Sequence, residues 1–153
     1  MKDSTKKIVF FASVMFLTMT VSAQNTAVIE TELSLVKTAE DADLEWGPCP
    51  PFMPNGCSLA ILHGDPSKEN LDVFFKVPAN SNLPNHWHNS AERMILVSGE
   101  LEVKYQGEKP RTLKVGSYAY GPAKKPHTAK CGNAGPCILF IAFEGPLDAI
   151  PKD

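Results

Sequence analysis

The stretch Asn85-His86-Trp87-His88-Asn89-Ser90-Ala91-Glu92 contains two of the four histidines of the chain, with an acidic residue close behind them. On an extended strand, residues two apart point to the same face, so the imidazoles of His86 and His88 are expected on one side. Glu92 has the same parity if the strand resumes in step. A third imidazole, His127, follows a proline in a later predicted strand. We therefore predict that His86, His88, Glu92 and His127 converge on one site.

Three imidazoles and one carboxylate suit a divalent transition metal, namely Fe, Mn, Ni, Zn or Cu, because Ca and Mg prefer oxygen ligands. Four protein ligands would leave two positions of an octahedron open to substrate, water or dioxygen. The alternative is that the four side chains are only buried and hydrogen-bonded to one another. A buried carboxylate among imidazoles is costly without a cation, so we expect one metal ion. Its identity does not follow from the ligands, since the same set serves several ions.

Alternation of apolar and polar residues predicts short β-strands along most of the chain. In the segment 100–105, for example, Leu101, Val103 and Tyr105 point inward and the charged residues between them point outward. No segment after residue 46 has a convincing helical period. The predicted strands are Ser58–His63, Leu71–Val77, Glu92–Val97, Glu100–Tyr105, Thr112–Val115, Ser117–Tyr120, Thr128–Cys131 and Cys137–Phe143. This pattern predicts an all-β fold, a sandwich or barrel of jelly-roll size.

Length and composition predict one domain. The 153 residues are 43% hydrophobic, enough for one core and not for two. The net charge is −2 and no basic stripe occurs, so we expect no nucleic-acid partner. Residues 24–56 are predicted as an N-terminal arm and lead-in loop, with one strand around Leu33 to Lys37. Residues 57–147 are predicted as the barrel and 148–153 as a C-terminal tail.

The first 23 residues have the pattern of a secretory signal peptide. Three lysines precede the apolar run Ile8 to Val21, and Val21-Ser22-Ala23 offers small residues for cleavage. A transmembrane anchor is the alternative, but the run is shorter than the roughly 20 residues needed to cross a bilayer. We therefore expect cleavage after Ala23, no stable membrane span, and export to the periplasm or the medium.

The four cysteines form two local pairs in the sequence. An even number of cysteines in an exported protein indicates disulfides, and four cysteines allow three connectivities. We favour Cys49 with Cys57 and Cys131 with Cys137, because the second pair flanks Gly132-Asn133-Ala134-Gly135-Pro136, a loop that could bring two strand ends together. A cysteine-rich zinc site is the competing interpretation, but no Cys-x-x-Cys spacing occurs.

The spacing of the predicted ligands resembles the first motif of the cupin superfamily. That motif runs Gly, five residues, His-x-His, three or four residues, Glu, six residues, Gly. His86, His88, Glu92 and Gly99 match it in order. Asn80 stands where the opening Gly would be.

The second cupin motif runs Gly, five residues, Pro-x-Gly, two residues, His, three residues, Asn. Gly116, Pro122 and His127 match it, whereas Lys124 replaces the second Gly and Cys131 replaces the Asn. Lys124 puts that turn in doubt, and Cys131 removes an amide from the end of the barrel. The two motifs cover about half of the chain beyond residue 23, and the sequence also looks like a group of small single-domain cupins, or monocupins.

The resemblance implies a cupin-type jelly-roll β-barrel with an extended N-terminal arm and a working metal site, because all four metal-binding positions are retained. Cupins also commonly pair into dimers. The predicted strand Cys137–Phe143 is apolar on both faces and leaves surface that needs covering. We therefore expect a homodimer.

Four further residues are candidates for the lining of the pocket. Met94 and Leu96 are expected to face inward and to make the pocket apolar near the ion. Tyr118 and Tyr120 share one strand face, and we interpret them first as core packing and second as hydroxyls that face a substrate. Three residues are expected to point away from the metal or to lie at the surface, namely His63, Trp87 and Arg93.

Three classes of function fit these features. The first is a metal-dependent enzyme that acts on a small molecule, either with oxygenase chemistry or with Lewis-acid isomerase, decarboxylase or hydrolase chemistry. No catalytic acid or base beyond the ligands is evident. The second is a domain that binds or senses a metal or small ligand without turnover, as the resemblance to zinc-binding cupin domains of anti-sigma factors permits. The third is a metal-free β-barrel interaction domain.

Overall fold

The structure is a computed structural model that describes residues 32–152. The chain divides into two units, Met1–Ser34 and Leu35–Asp153, and nearly all of the described residues belong to the second. The predicted signal peptide lies outside the described residues. No helix within residues 32–152 is long and apolar enough to cross a membrane.

The described chain is all-β, as predicted. It contains eleven strands and no helix. The strands are β1 (Trp46–Pro48), β2 (Ser58–His63), β3 (Leu71–Val77), β4 (Asn82–Trp87), β5 (Glu92–Ser98), β6 (Leu101–Tyr105), β7 (Arg111–Leu113), β8 (Tyr118–Gly121), β9 (His127–Cys131), β10 (Cys137–Phe143) and β11 (Ile150–Pro151).

Two antiparallel sheets face each other and form the jelly-roll barrel. The six-stranded sheet has the order β1-β2-β3-β10-β5-β8, and the five-stranded sheet has the order β11-β4-β9-β6-β7. Alternate residues of each strand point between the sheets, so Leu71, Val73, Val77 and Leu96 are completely buried there. This burial of apolar area between the sheets is the main term that stabilises the fold.

The outer face of the six-stranded sheet is covered in part by the N-terminal arm. Ala60, Phe74 and Ile138 form a second buried cluster, against which Trp46 and Leu44 of the arm pack. The ammonium group of Lys76 lies 3.8 Å from the centre of the Trp46 ring. The arm thus contributes β1, which pairs with β2 at the edge of the sheet.

The strand predicted around Leu33 to Lys37 is not present. Residues 33–37 form no strand, and Val36 is 91% exposed. No strand of the described chain pairs with this segment, so its apolar residues have no sheet face to cover. At the other end, the predicted tail supplies β11, which pairs with β4.

The favoured disulfide pairing is confirmed. Cys49 bonds to Cys57 and Cys131 to Cys137, and no cysteine is left free to form a zinc site. Cys131 ends β9 in the five-stranded sheet and Cys137 begins β10 in the six-stranded sheet. The second disulfide therefore ties one sheet to the other at one end of the barrel.

The two positions that depart from glycine in the cupin motifs retain the backbone conformation that glycine favours. Asn80 has φ 60° and Lys124 has φ 61°, close to the positive φ of Gly99 and Gly116 at the matching glycine positions. The Lys124 N–H donates to the carbonyl of His88 at 2.7 Å, so the turn is formed despite the substitution. A left-handed conformation at a residue with a Cβ costs about 1–2 kcal/mol.

We predict that Lys124→Gly stabilises the protein. Glycine relieves the left-handed strain, and the greater freedom of the unfolded chain offsets part of that gain, which leaves a rise of roughly 0.5–1 kcal/mol in the free energy of unfolding. Urea unfolding checks this. The matched control is Lys130→Gly, an exposed lysine in β9, where glycine should lower stability by a similar amount. Equal destabilisation by both variants would contradict the prediction.

Candidate metal centre

Three of the four predicted ligands come from neighbouring strands of the five-stranded sheet. His86 lies near the end of β4, His88 follows that strand directly, and His127 begins β9. His86 and His127 are paired across the two strands. The ligand nitrogens of the three histidines all lie within 4.8 Å of one another, and all three side chains are buried.

Glu92 reaches this group by a different route from the one expected. From strand parity, Glu92 was expected on a continuation of the strand that bears His86 and His88. Glu92 instead begins β5 in the six-stranded sheet, because the chain crosses from one sheet to the other after Trp87. Its Oε1 lies 3.3 Å from Nε2 of His88, and its Oε2 lies 3.8 Å from Nε2 of His127. The carboxylate therefore approaches two of the three histidines from across the barrel.

Backbone carbonyls orient all three imidazole rings. Nδ1 of His86 donates to the carbonyl of Pro84 at 2.7 Å, and Nδ1 of His127 donates to that of Lys125 at 3.1 Å. Nδ1 of His88 donates to the carbonyl of Asp148. A neutral imidazole with its proton on Nδ1 has a lone pair on Nε2, so the three Nε2 atoms are acceptors. This arrangement is the usual support for metal-binding histidines.

Burial shifts the pKa values of His86, His127 and Glu92. Burial lowers the pKa of His86 to about 4 and that of His127 to about 3, so both rings are neutral at pH 7. Burial also raises the pKa of Glu92, because its charged form is poorly solvated. Among the described residues, no lysine or arginine lies within ion-pair distance of Glu92. A divalent transition metal fits this set, since it would neutralise the carboxylate and accept three imidazole nitrogens.

The donors open into a cavity of about 390 Å³ between the two sheets. Its lining is mainly apolar and includes Met94, as predicted from strand parity. Leu96 is completely buried in the core but does not line the cavity. Pro50 and Met53, near the Cys49–Cys57 disulfide, contribute to one side of the wall.

The prediction that Tyr118 and Tyr120 face the core or the pocket is wrong. Their side chains are 62% and 51% exposed on the outer face of β8. The inward positions of this strand are Ala119 and Gly121. A Cβ on Gly121 would lie 2.7 Å from the Tyr105 hydroxyl oxygen and 2.9 Å from Oε2 of Glu92, so no larger residue fits there.

Tyr105 is the site residue that the sequence analysis did not single out. It lies directly across from His127 in the pairing of β6 with β9, with the ring centres 5.0 Å apart. The alternation of β6 predicted an inward side chain, but the distance to His127 depends on a strand register that the sequence does not reveal. The Tyr105 hydroxyl is buried and has no hydrogen-bond partner within the described residues. Burial raises the pKa of this hydroxyl, so it remains protonated at neutral pH.

The remaining predicted side chains lie away from the donors. Arg93 points outward and pairs with Glu144 at 2.6 Å. His63 ends β2 and is exposed. Trp87 is half-buried and does not line the cavity.

A two-sheet jelly roll with a three-histidine group between its sheets defines this protein as a single-domain cupin, which confirms the resemblance found in the sequence. A model of the ChrR cupin-like domain matches residues 35–147. The chain therefore belongs to the ChrR cupin-like family. The match includes residues 35–56, which the sequence analysis assigned to the arm. No curated protein matches the chain.

Solved structures share the fold at low sequence identity. The DMSP lyase DddQ from Ruegeria pomeroyi is 21% identical with a TM-score of 0.61, over 71% of this chain and 61% of the lyase. The chain thus spans about three fifths of the length of that relative. The polyketide cyclase RemF from Streptomyces resistomycificus is 18% identical with a TM-score of 0.61, over 78% of this chain and 87% of the cyclase. An RmlC-like cupin from Shewanella frigidimarina is 21% identical with a TM-score of 0.56, over 69% of this chain and 86% of that chain.

We predict that the metal-free protein loses stability as the pH falls from about 6.5 toward 4. In this range the unfolded chain protonates its histidines at their ordinary pKa of 6.5, while folded His86 and His127 stay neutral. The unfolded state therefore binds more protons, and the free energy of unfolding decreases as the pH falls. Thermal unfolding of chelator-treated protein between pH 7.5 and 4 measures the effect.

Two variants test the origin of this pH dependence. Glu92 acts in the opposite direction, because protonation relieves the cost of its burial, so Glu92→Gln should steepen the loss. As a control, Tyr118→Phe changes an exposed side chain that does not line the cavity and should leave the profile unchanged. A thermal midpoint that stays constant from pH 7 to 5 would rule out the predicted linkage.

Proposed function

We propose that this protein is an exported metal-dependent enzyme that acts on a small molecule. One divalent transition metal would be bound by His86, His88, His127 and Glu92. The observation that carries the proposal is that these four donors line a largely apolar cavity of about 390 Å³. A cavity of this size admits a small organic molecule beside the ion.

The metal, when bound, supplies Lewis acidity to an oxygen atom of the substrate, or a coordination position for dioxygen if it is iron. The chain supplies the rest. His86, His88 and His127 present their Nε2 atoms in orientations fixed by the carbonyl partners of Nδ1, and the Glu92 carboxylate lowers the net charge of the site. The apolar wall excludes water, which strengthens electrostatic interactions inside the cavity. DddQ and RemF, whose names describe enzymes, lend general support because the same fold carries catalysis in them.

The second candidate is a domain that binds or senses a metal or small ligand without turnover. The scarcity of proton-transfer groups favours it. Apart from the four donors, the titratable side chains that line the cavity are Tyr105 and Asp148. The Asp148 carboxylate accepts hydrogen bonds from the backbone and side-chain nitrogens of Asn89, at 3.0 and 2.6 Å, which removes it from easy use as a base.

Export is supported by the two disulfides, which persist in oxidising compartments and are rare in the cytosol. The charged start and apolar run of residues 1–23 point the same way. We include export in the proposal for these two reasons. A purified native protein that begins at Met1 with four reduced cysteines would contradict it.

The experiment compares His86→Ala with the matched control His63→Ala. Protein from an oxidising compartment is analysed for metal, then loaded anaerobically with Zn, Mn or Fe(II). Wild type and His63→Ala should bind about one ion per chain, and His86→Ala should lose most of it. Oxygen consumption and mass spectrometry of a panel of small organic acids, esters and ketones then report turnover. We expect turnover that His86→Ala abolishes.

Two results would overturn the proposal in different ways. If His86→Ala kept its full metal content, the proposed metal site would be wrong, and the interaction domain would be the favoured interpretation. Full metal content in wild type with no turnover by any of the three metals, together with measurable ligand binding, would favour the non-catalytic domain.

We also propose that the partner of the barrel is a second copy of the chain. Strands β5 and β8 expose Ile95, Val97, Tyr118 and Tyr120 on one face of the six-stranded sheet, with Arg93 opposite Tyr120, an aromatic and arginine-containing surface of the kind that interfaces bury. Light scattering should give the mass of a dimer, and Ile95→Lys should give a monomer with unchanged metal content. As a control, Ile61→Lys, which changes an exposed residue of β2, should remain dimeric. A monomeric wild type would contradict the proposal.

A further inference from the structure

The Tyr105 hydroxyl is a buried polar group beside the cavity to which the proposed function assigns no part. Tyr105 is 8% exposed and lines the same cavity as the four donors. Its hydroxyl has no hydrogen-bond partner among the described residues, although a buried hydroxyl without a partner costs free energy. The sheet leaves room for it, because Gly121 has no side chain at the point that lies 2.7 Å from the hydroxyl and 2.9 Å from Glu92 Oε2. An unpaired donor beside the proposed metal site is placed to donate to an acceptor atom of a bound ligand.

The charge of the site selects the charge of that ligand. A divalent metal with three imidazole ligands and an ionised Glu92 carries one unit of positive charge. The lining contains no lysine or arginine among the described residues. The Asp148 carboxylate also lines the cavity, but it is half-buried and accepts two hydrogen bonds from Asn89, so its charge is solvated without the metal. A monoanion would therefore make the buried site neutral, whereas a dianion or a cation would leave an unpaired buried charge.

The walls of the cavity select the body of the ligand. Beyond the donors and Tyr105, the lining near the site is formed by aliphatic and aromatic side chains such as Met94, Val103, Leu139 and Phe143. A sugar or another polyhydroxylated body would leave its hydroxyls without partners against these side chains. An alkyl or aryl body would be favoured by apolar burial.

Building on the proposed function, we propose that the cavity binds a monocarboxylate with a compact apolar body, and that the Tyr105 hydroxyl donates a hydrogen bond to the carboxylate held at the metal. Tyr105 then contacts the substrate and fixes its head group, while the apolar wall accepts its body. This assigns a substrate class to the site and a recognition role to a residue outside the metal-binding motifs.

Calorimetric titration of the zinc-loaded protein with four ring-matched probes tests the substrate class. The probes are benzoate, benzyl alcohol, benzylamine and phthalate, which are a monoanion, a neutral molecule, a cation and a dianion at pH 7.5. Benzoate should bind at least tenfold more tightly than each of the others. Benzyl alcohol or phthalate binding as tightly as benzoate would overturn the inference.

The variant Tyr105→Phe tests the hydroxyl. It should weaken benzoate binding about tenfold or more, the size expected for a hydrogen bond to a charged group. Its zinc content should equal that of wild type. Its thermal midpoint without ligand should be equal or higher, because the hydroxyl removed has no partner in the unliganded protein. The matched control Tyr118→Phe, at an exposed tyrosine, should leave benzoate affinity unchanged.

A purely structural Tyr105 would give the reverse result. Tyr105→Phe would then lower the thermal midpoint and leave the ratio of benzoate to benzyl alcohol affinity unchanged. The zinc content distinguishes failure of the proposed function from failure of this inference. Wild-type protein that takes up no zinc refutes the proposed function and this inference with it. Wild-type protein that binds zinc but none of the probes, or binds them without the Tyr105-dependent preference, refutes this inference alone.

Discussion

The position of the Glu92 carboxylate between two sheets is the constraint on which the rest of the site depends. A carboxylate buried at this depth is costly, and no lysine or arginine of the described residues lies within ion-pair distance to compensate its charge. Glu92 reaches the site from the six-stranded sheet, and the histidines reach it from the five-stranded sheet, so the buried charge lies where the two sheets meet. The proposed cation at their meeting point would turn this cost into attraction between the two sheets. The four donors already bring the two sheets into contact at this point.

Asn80 and Lys124, which replace glycines of the cupin motifs, show that these positions require a left-handed backbone and not glycine itself. A left-handed backbone is needed at each of these turns, and Asn80 and Lys124 adopt it at some cost in strain. The N–H of Lys124 donates to the His88 carbonyl, so the strained turn supports the loop that contains a ligand. Gly121 is required for another reason, because the hydroxyl of Tyr105 and the carboxylate of Glu92 occupy the space of its missing side chain.

Local spacing and parity predicted the all-β fold and the favoured disulfide pairing, and the resemblance to the two cupin motifs predicted which residues come together. It did not predict how they come together. Parity cannot reveal that the chain changes sheets between Trp87 and Glu92, nor that Tyr105 lies opposite His127, since both depend on pairing between distant strands. Tyr118 and Tyr120 were assigned to the wrong face because parity shows that they share a face but not which face is inward; the inward positions are Ala119 and Gly121. Strand β11 was likewise missed, because it forms by pairing with the distant strand β4 in a segment that was predicted to be a tail.

The bond from His88 to the carbonyl of Asp148 spans sixty residues of sequence. A chain that emerges from a ribosome or a translocation pore with its N-terminus first therefore displays His86 and His88 long before the segment that orients the second ring. The site reaches its final geometry only after β11 has paired with β4, close to the end of the chain. Capture of the proposed metal would consequently follow the arrival of residues 148–151 in the compartment where the protein folds.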